Sequence, residues 1–530
     1  MGDRGNRHRK DLGALPRRPQ TPATARRELK GLRRFRHGSR PPSLSHLSRA
    51  LRSPHRITRQ AACWLVRHWK LSPLLPDVRA LHGDPEPSVR AAALETLGRL
   101  KDRRALPLFR RALRDPSAEV RIQAAWGLWE LGSPVSISLL AELLRDPDPQ
   151  VRYSAVTALG RVRSPATRPW LYRALSDPVD RVRRDALLAL RSWPDRRSRH
   201  QARALLEDPA ERVRIAACIV LGEWRDRPAV ERLLGRYPNE SSWVRPAILV
   251  ALGRIGDRRA VRTLLDSLKD RAPWVVVCAL WSLARLRPAG VASQIRPLTR
   301  HPKRTVRAAA LEALGRLGGP SDVRLLTEHL SETDPWVRRG AVLGLGHLKD
   351  RRAINSLRAL RKDPDDDVRL AAVWALGQLG DVAILPDLLG ELRREAIGPG
   401  EAGARSPSPR SKDLRSSLVP EPVIAEGPGA VKLLSDARSA RPEILLQALG
   451  RLLPRLPPSE KSSVRRDLAD ILKRWSPSER RRHLRPLTTM APPPSRLPRI
   501  SDWMGTESAP KRSRGSGQPP TTRRPRRGAS

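Results

Sequence analysis

One spacing governs this chain. Valine stands at 89, 120, 151, 182, 213, 244, 275, 306, 337 and 368, a period of 31 residues held through ten positions without an insertion. Arg follows nine of these valines, Leu lies eight positions after every one, and Ala lies four positions after nine, with Ile248 as the exception. Self-similarity at this period means a stacked array, because a unit of this length cannot bury its apolar face alone and must lean on its neighbours.

Each unit reads as a helical hairpin. An Asp five residues before the Val, as at Asp84, Asp115, Asp146, Asp177, Asp208, Asp270 and Asp363, is commonly followed by Pro and predicts a helix N-cap with proline at the first helical position. That helix is expected to end near Gly98, Gly160, Gly222, Gly253, Gly315, Gly346 or Gly377, with glycine as a left-handed cap. A second helix follows, as over residues 258–268. Ile57, Thr58, Arg59 and Ala62 form a degenerate unit one period earlier, so about eleven units are present. The expected fold is all-α: a right-handed α-solenoid of helical hairpins.

Composition sets the boundaries. Residues 1–42 and 488–530 are expected to be basic tails without order, flanking the solenoid at 43–397, a Gly, Pro and Ser-rich linker at 398–429 and a small helical segment at 430–487. Residues 1–40 carry 13 basic against 3 acidic side chains, and residues 491–530 carry 9 against 2. The whole chain has a net charge of +49, which favours anionic partners, although genomic composition accounts for Arg richness equally well. Three scattered cysteines argue against a disulfide scaffold, and no apolar run has the length of a membrane span or a signal peptide. A cytoplasmic, monomeric protein is expected.

The spacing of Asp, Val-Arg, Ala and Leu-Gly resembles the HEAT repeat over about residues 54–393, in a short form similar to the phycobilin-lyase group. The resemblance implies a ladder of hydrogen bonds between units, carried by Asp84 with Arg90, Asp115 with Arg121, Asp146 with Arg152, Asp177 with Arg183, and Asp208 with Arg214. The ladder is expected to weaken where Val276 replaces Arg and where Asn239 or His301 replaces Asp. The family includes scaffolds, bilin lyase subunits, a DNA glycosylase type and a di-iron hydroxylase. The hydroxylase needs His-Glu pairs, and no His here precedes Glu.

Catalytic signatures are missing from the sequence. It has no phosphate-binding glycine loop, no GxSxG and no HExxH, so neither catalytic residues nor metal ligands nor a cofactor are assigned. Cys63 and Cys218 share a core column.

Tryptophan carries the functional signal. On a wheel of 100° per residue, positions −1, +2, +6 and +10 from the Val point away from the core. Position −1 holds Trp243, Trp274 and Trp336, and position +6 holds Trp64, Trp126, Trp281 and Trp374, which is seven of the fourteen Trp. Position +10 adds Arg99, Arg161, Arg254, Arg285 and Arg316. Trp193 and Trp224 occupy a core column. In HEAT-like folds the Val-Arg helix lines the concave face, so either the Trp columns pack on one another or they line a groove. The groove would take a protein or peptide, or single-stranded nucleic acid stacked on indoles. The leading expectation is a non-enzymatic scaffold or adaptor binding a protein or peptide on the concave face. An enzyme or enzyme subunit of the bilin-lyase class comes next, and a nucleic-acid-binding solenoid with help from the basic tails third.

Overall fold

The computed structural model describes residues 23–397, apart from 34, 36–39, 133 and 134, together with residues 445–474 apart from 447. It is all-α, and no strand occurs among the described residues. Two compact units divide between Gly319 and Pro320. The predicted linker at 398–429, residues 1–22 and 475–530 lie outside the described residues.

In the first unit the Val-Arg positions fall on long helices, Arg56–His68, Pro87–Arg99, Ala118–Leu131, Pro149–Val162, Asp180–Leu190, Glu211–Glu223, Arg245–Ile255, Pro273–Leu286 and Arg304–Leu317. Each packs on the next and on a short helix of its own hairpin. The short helix is built from a 3₁₀ turn and one or two α-turns, as in Arg103–Ala105 running into Leu106–Ala112. The Val and Leu columns are the core: Val89, Val151, Val182, Leu97, Leu159 and Leu190 are all fully buried.

Two sequence expectations change. The conserved-spacing Asp lies three residues ahead of the long helix, not at its N-cap: the helices begin at Pro87, Ala118 or Pro149, and Asp84 Oδ1 instead accepts from Glu86 N at 3.0 Å, closing an Asp-Pro turn. The Leu-Gly glycines are not caps either. Gly98, Gly160, Gly222 and Gly253 lie inside their helices, where a Cβ on Gly98 would stand 2.7 Å from Gly127 Cα of the next long helix, and one on Gly222 2.9 Å from Ala251 Cα. They allow helix axes to approach. The left-handed residue comes three positions later, at Lys101, Gly132, Arg163, Arg225, Gly256 and Arg287.

The amino-terminal tail also differs from expectation. Ala23–Arg33 is a helix whose Leu29 and Leu32 are buried, and it closes the open side of the first hairpin: Ser53 Oγ donates to Glu28 at 2.7 Å, and Trp69 Nε1 donates to the Phe35 carbonyl at 3.2 Å. Two leucines three residues apart in an Arg-rich stretch are too sparse a pattern to distinguish a helix from a tail.

The second unit holds the long helices Pro335–Leu348 and Asp366–Leu379, the helix Leu385–Ile397, and the carboxy-terminal segment ending in Pro458–Arg474. Residues 448–452 take the place of a further long helix. A Cβ on Gly377 would meet the Ala448 Cβ at 2.7 Å, as one on Gly346 would meet Ala375. Leu449-Gly450 is thus the Leu-Gly of a displaced hairpin, arriving 73 residues after Leu376-Gly377 instead of 31. Leu445, Leu446, Leu449, Leu452, Val464, Leu468 and Ile471 are buried there.

Candidate binding face and the Arg–Asp ladder

The ladder is an inter-unit device, and its pairing differs from the one expected. Arg90 donates through Nη1 to the carbonyls of Asp84 and Pro85 in its own hairpin, at 2.8 and 3.1 Å. Its Nε and Nη2 form a two-pronged bond to the carboxylate of Asp115 in the next hairpin, both at 2.8 Å. Arg121 with Asp146, Arg152 with Asp177, and Arg183 with Asp208 repeat this geometry. In the second unit Arg338 pairs with Asp363. The Asp84 carboxylate is held by Arg59 of the preceding hairpin. Each Arg therefore spans one joint. The hydrogen bonds to these carboxylates hold Arg90, Arg121, Arg152, Arg183 and Arg338 above the usual guanidinium range.

Asn239 does not break the ladder. Glu240 reaches back one residue further, accepting from Arg214 Nε and Nη2 at 2.8 and 2.7 Å and from Arg236 Nη2 at 2.7 Å. A gap falls at Val276 and His301: the long helix Pro273–Leu286 has Val276 where the ladder guanidinium stands elsewhere, and His301 Nδ1 accepts from the amide of Lys303 at 3.1 Å.

The face opposite the short helices carries the other candidates, and the structure sorts them one by one. Trp243 is 47% exposed and stacks on Trp274 with ring centroids 5.9 Å apart and planes at 24°. Trp274 is half-buried, its Nε1 donating to the Ser242 carbonyl at 2.9 Å. Trp281 is half-buried on the same helix. Trp126 lies edge-on to Trp129 at 6.0 Å, and Arg161 sits 5.2 and 4.8 Å from the two rings. Trp336 and Trp374 belong to the second unit; Trp374 meets His347 edge-on at 4.9 Å and leans over Gly346. Trp224 is a core residue, with Nε1 bonded to the Arg191 carbonyl at 2.9 Å, whereas Trp193 is only half-buried. Packing thus engages Trp126 and Trp374, and Trp243 stands open.

Counting only tryptophan misses most of the row. Position +6 reads Trp126, Thr157, Leu188, Ile219, Val250 and Trp281, all half-buried, with Glu95 and Glu312 at its two ends. Four consecutive hairpins therefore present Leu188, Ile219, Val250 and Trp281 as a continuous apolar stripe. At 8–10 Å per packed helix, it runs about 30 Å. One turn further on, Arg254, Arg285 and Arg316 line its edge. Arg254 lies 3.9 Å from Glu223 and Arg316 3.1 Å from Glu312. Burial and then Glu223, Arg285 and Arg191 act on Arg254, with the net effect of holding it below the usual guanidinium range.

A model of HEAT repeats matches residues 44–118, 108–191, 201–283, 277–339 and 323–397. The chain belongs to the HEAT-repeat family. Among solved structures, this HEAT chain is similar to importin β, with a TM-score of 0.52 at 12% identity over 88% of this chain and 70% of that one. It is also similar to the karyopherin Kap121p bound to the extreme C-terminus of the protein phosphatase Cdc14p, with a TM-score of 0.51 at 13% identity over 78% and 54%. The CpcE–CpcF complex of phycocyanin lyase from Nostoc sp. matches at 25% identity over 46% of this chain and 87% of that one, with a TM-score of 0.26. No curated protein matches the sequence. These likenesses concern the fold.

Chemistry has few footholds. Burial pushes the thiols of Cys63, Cys218 and Cys278 up to about 12, which makes them inert core residues. Among the described residues no group of three or more His, Cys, Asp or Glu could hold a metal ion, and no helix is long and apolar enough to cross a membrane.

Proposed function

We propose that this HEAT-repeat protein is a scaffold or adaptor that binds a protein or peptide segment along the open side of its long helices, over hairpins 182 to 281. The observation that carries this reading is the apolar stripe of Leu188, Ile219, Val250 and Trp281, flanked by the open indole of Trp243. Large aliphatic side chains in register, on a face that no other helix of the described residues is packed over, suit a ligand better than water. Two further points support a peptide. The row is aliphatic at three of its four positions, which gives apolar contact surface and no stacking platform for bases. A similar fold, Kap121p, holds the extreme C-terminus of another protein.

The test is selection of random 16-residue peptides displayed on phage against the full-length chain. Peptides that bind wild type and lose at least tenfold in affinity to Trp243→Ala/Val250→Asp, whose helicity and melting remain as in wild type, are the expected result. Selected peptides that bind the double variant undiminished would remove the stripe as the site.

A further inference from the structure

The two edges of the stripe differ in chemistry, and the difference points to the partner's charge. At the edge formed by helix starts, two cations are occupied: Arg212 lies 3.1 Å from Asp180, and Arg181 covers the Tyr153 ring at 4.0 Å. At the edge formed by helix ends, cations accumulate. Arg225, Arg285 and Arg287 are exposed, and no carboxylate among the described residues pairs with any of them. Arg254 and Arg316 stand in the same row, and the acids beside them are Glu223 and Glu312.

What sets this cluster apart is the +10 residue Arg285. At the same +10 position in the earlier hairpins Arg99 meets Glu130 at 3.0 Å and Arg161 is laid over two indoles, whereas Arg285 has neither a carboxylate nor a ring partner among the described residues; the +12 cations Lys101 and Arg163 are exposed as Arg225 and Arg287 are. Basic side chains at helix ends do complement the helix dipole. That effect operates in each helix separately, however, and gives no reason for guanidiniums of different hairpins to converge. Here Arg254, Arg285 and Arg316 stand at the same register on three consecutive helices that pack directly on one another, at the spacing of about 8–10 Å of packed helices; burial first, and then the charges of Arg225 and Arg316, hold Arg285 below the usual guanidinium range. Like charges on neighbouring helices cost free energy in the free protein, and a ligand anion relieves that cost.

We infer that the segment bound on the stripe is acidic and amphipathic, with apolar side chains on Leu188, Ile219, Val250 and Trp281 and carboxylates set against Arg225, Arg254 and Arg285. This rests on the stripe being the binding face and adds the charge of the occupant. The spacing suits such a segment: Arg254 lies one helical turn beyond Val250 and Arg285 one turn beyond Trp281, so each carboxylate needs to sit about one turn to the side of an apolar anchor. A single-stranded nucleic acid would meet the same cations but would place bases on aliphatic side chains, and Trp243 and Trp274 already cover one face of each other.

The peptide selection is repeated with wild type, with Arg225→Gln/Arg285→Gln and with Trp243→Ala/Val250→Asp, all as full chains. Wild type is expected to enrich Asp and Glu beside Leu, Ile, Phe or Trp. The best peptide should bind about tenfold tighter than its Gln-for-Glu counterpart at low salt, with most of that margin lost by 300 mM NaCl. Arg225→Gln/Arg285→Gln should bind both peptides alike. Equal enrichment of neutral or basic peptides by wild type overturns the acidic partner while leaving the stripe in place, whereas undiminished binding by Trp243→Ala/Val250→Asp overturns the stripe itself. Displacement of the peptide by a 16-nucleotide oligothymidylate at equal concentration overturns the inference in favour of nucleic acid.

Discussion

A guanidinium that serves two hairpins at once is the unit of cohesion at the residue scale. Arg214 satisfies the carbonyls of Asp208 and Pro209 and the carboxylate of Glu240, so its removal deprives acceptors on both sides of a joint and leaves the buried Glu240 to Arg236 alone. Arg214→Ala is expected to cost about 2–4 kcal/mol in urea unfolding while the affinity of a selected peptide stays unchanged. Normal stability with lost binding would give the Arg column a ligand role in place of the ladder. The ladder also sets an acid limit. Burial works against the charged forms of Asp115 and Glu240, but bonds from Arg90 and the Ser117 amide, and from Arg214 and Arg236, outweigh it and hold both carboxyls below their usual values of 3.8 and 4.5. A depressed folded pKa gives stability that is fully present above the unfolded value and is lost as pH falls through the folded one. Stability should therefore be flat from pH 7 to about 5 in these two groups' contribution and decline below about pH 4, and Glu240→Gln should flatten part of that decline.

At the scale of the element, the glycines behave opposite to helix propensity. Gly222→Ala would raise intrinsic helicity by about 1 kcal/mol. The added Cβ would meet Ala251 Cα at 2.9 Å, with Ala251 Cβ and Arg254 Cδ close behind. A net loss of about 1–3 kcal/mol in thermal unfolding is expected, and a gain would mean that the joint is slack. The gap at Val276 and His301 gives the converse experiment. Val276→Arg buries an unpaired cation and His301→Asp an unpaired anion, but together they rebuild the ladder bond. The double variant should exceed the sum of the singles by about 1–3 kcal/mol, and additivity would deny that the pair forms.

These cases also separate what was legible in the sequence from what was not. The helices, their period and the core columns were readable because Val, Ala and Leu recur in phase. The partners of the ladder were not, because the spacing of Asp84 and Arg90 within one hairpin is the same whether Arg90 pairs at home or with Asp115. Leu-Gly suggested a cap since glycine serves caps and close approaches alike, and only the neighbouring helix decides between them. On the candidate face, Trp stands out as a rare residue, while Leu188, Ile219 and Val250 occupy the same column among a large number of aliphatic residues.

For the molecule as a whole, the ends are the exposed risk of a repeat array, and both described ends are closed. The carboxy-terminal closure uses the displaced hairpin at residues 445–474, where Ala448 seats on Gly377 and Arg455 Nη1 donates to the Leu379 carbonyl at 3.3 Å. A chain ending after residue 397 should lose amide protection over Asp366–Leu379 by about a hundredfold in hydrogen exchange, the loss expected from uncovering one or two leucine side chains. Unchanged protection would mean that the segment adds nothing to the array.

Whether the open side of the long helices receives a partner is most directly read by photo-cross-linking. A benzophenone side chain at Val250, on the stripe, and another at Arg262, exposed on the short helix behind it, are compared in the full-length chain with a selected acidic peptide. Cross-linking from 250 and not from 262, abolished by excess unlabelled peptide, is the result expected of a binding face. Equal yields at the two positions, or a yield only at 262, would place the partner elsewhere.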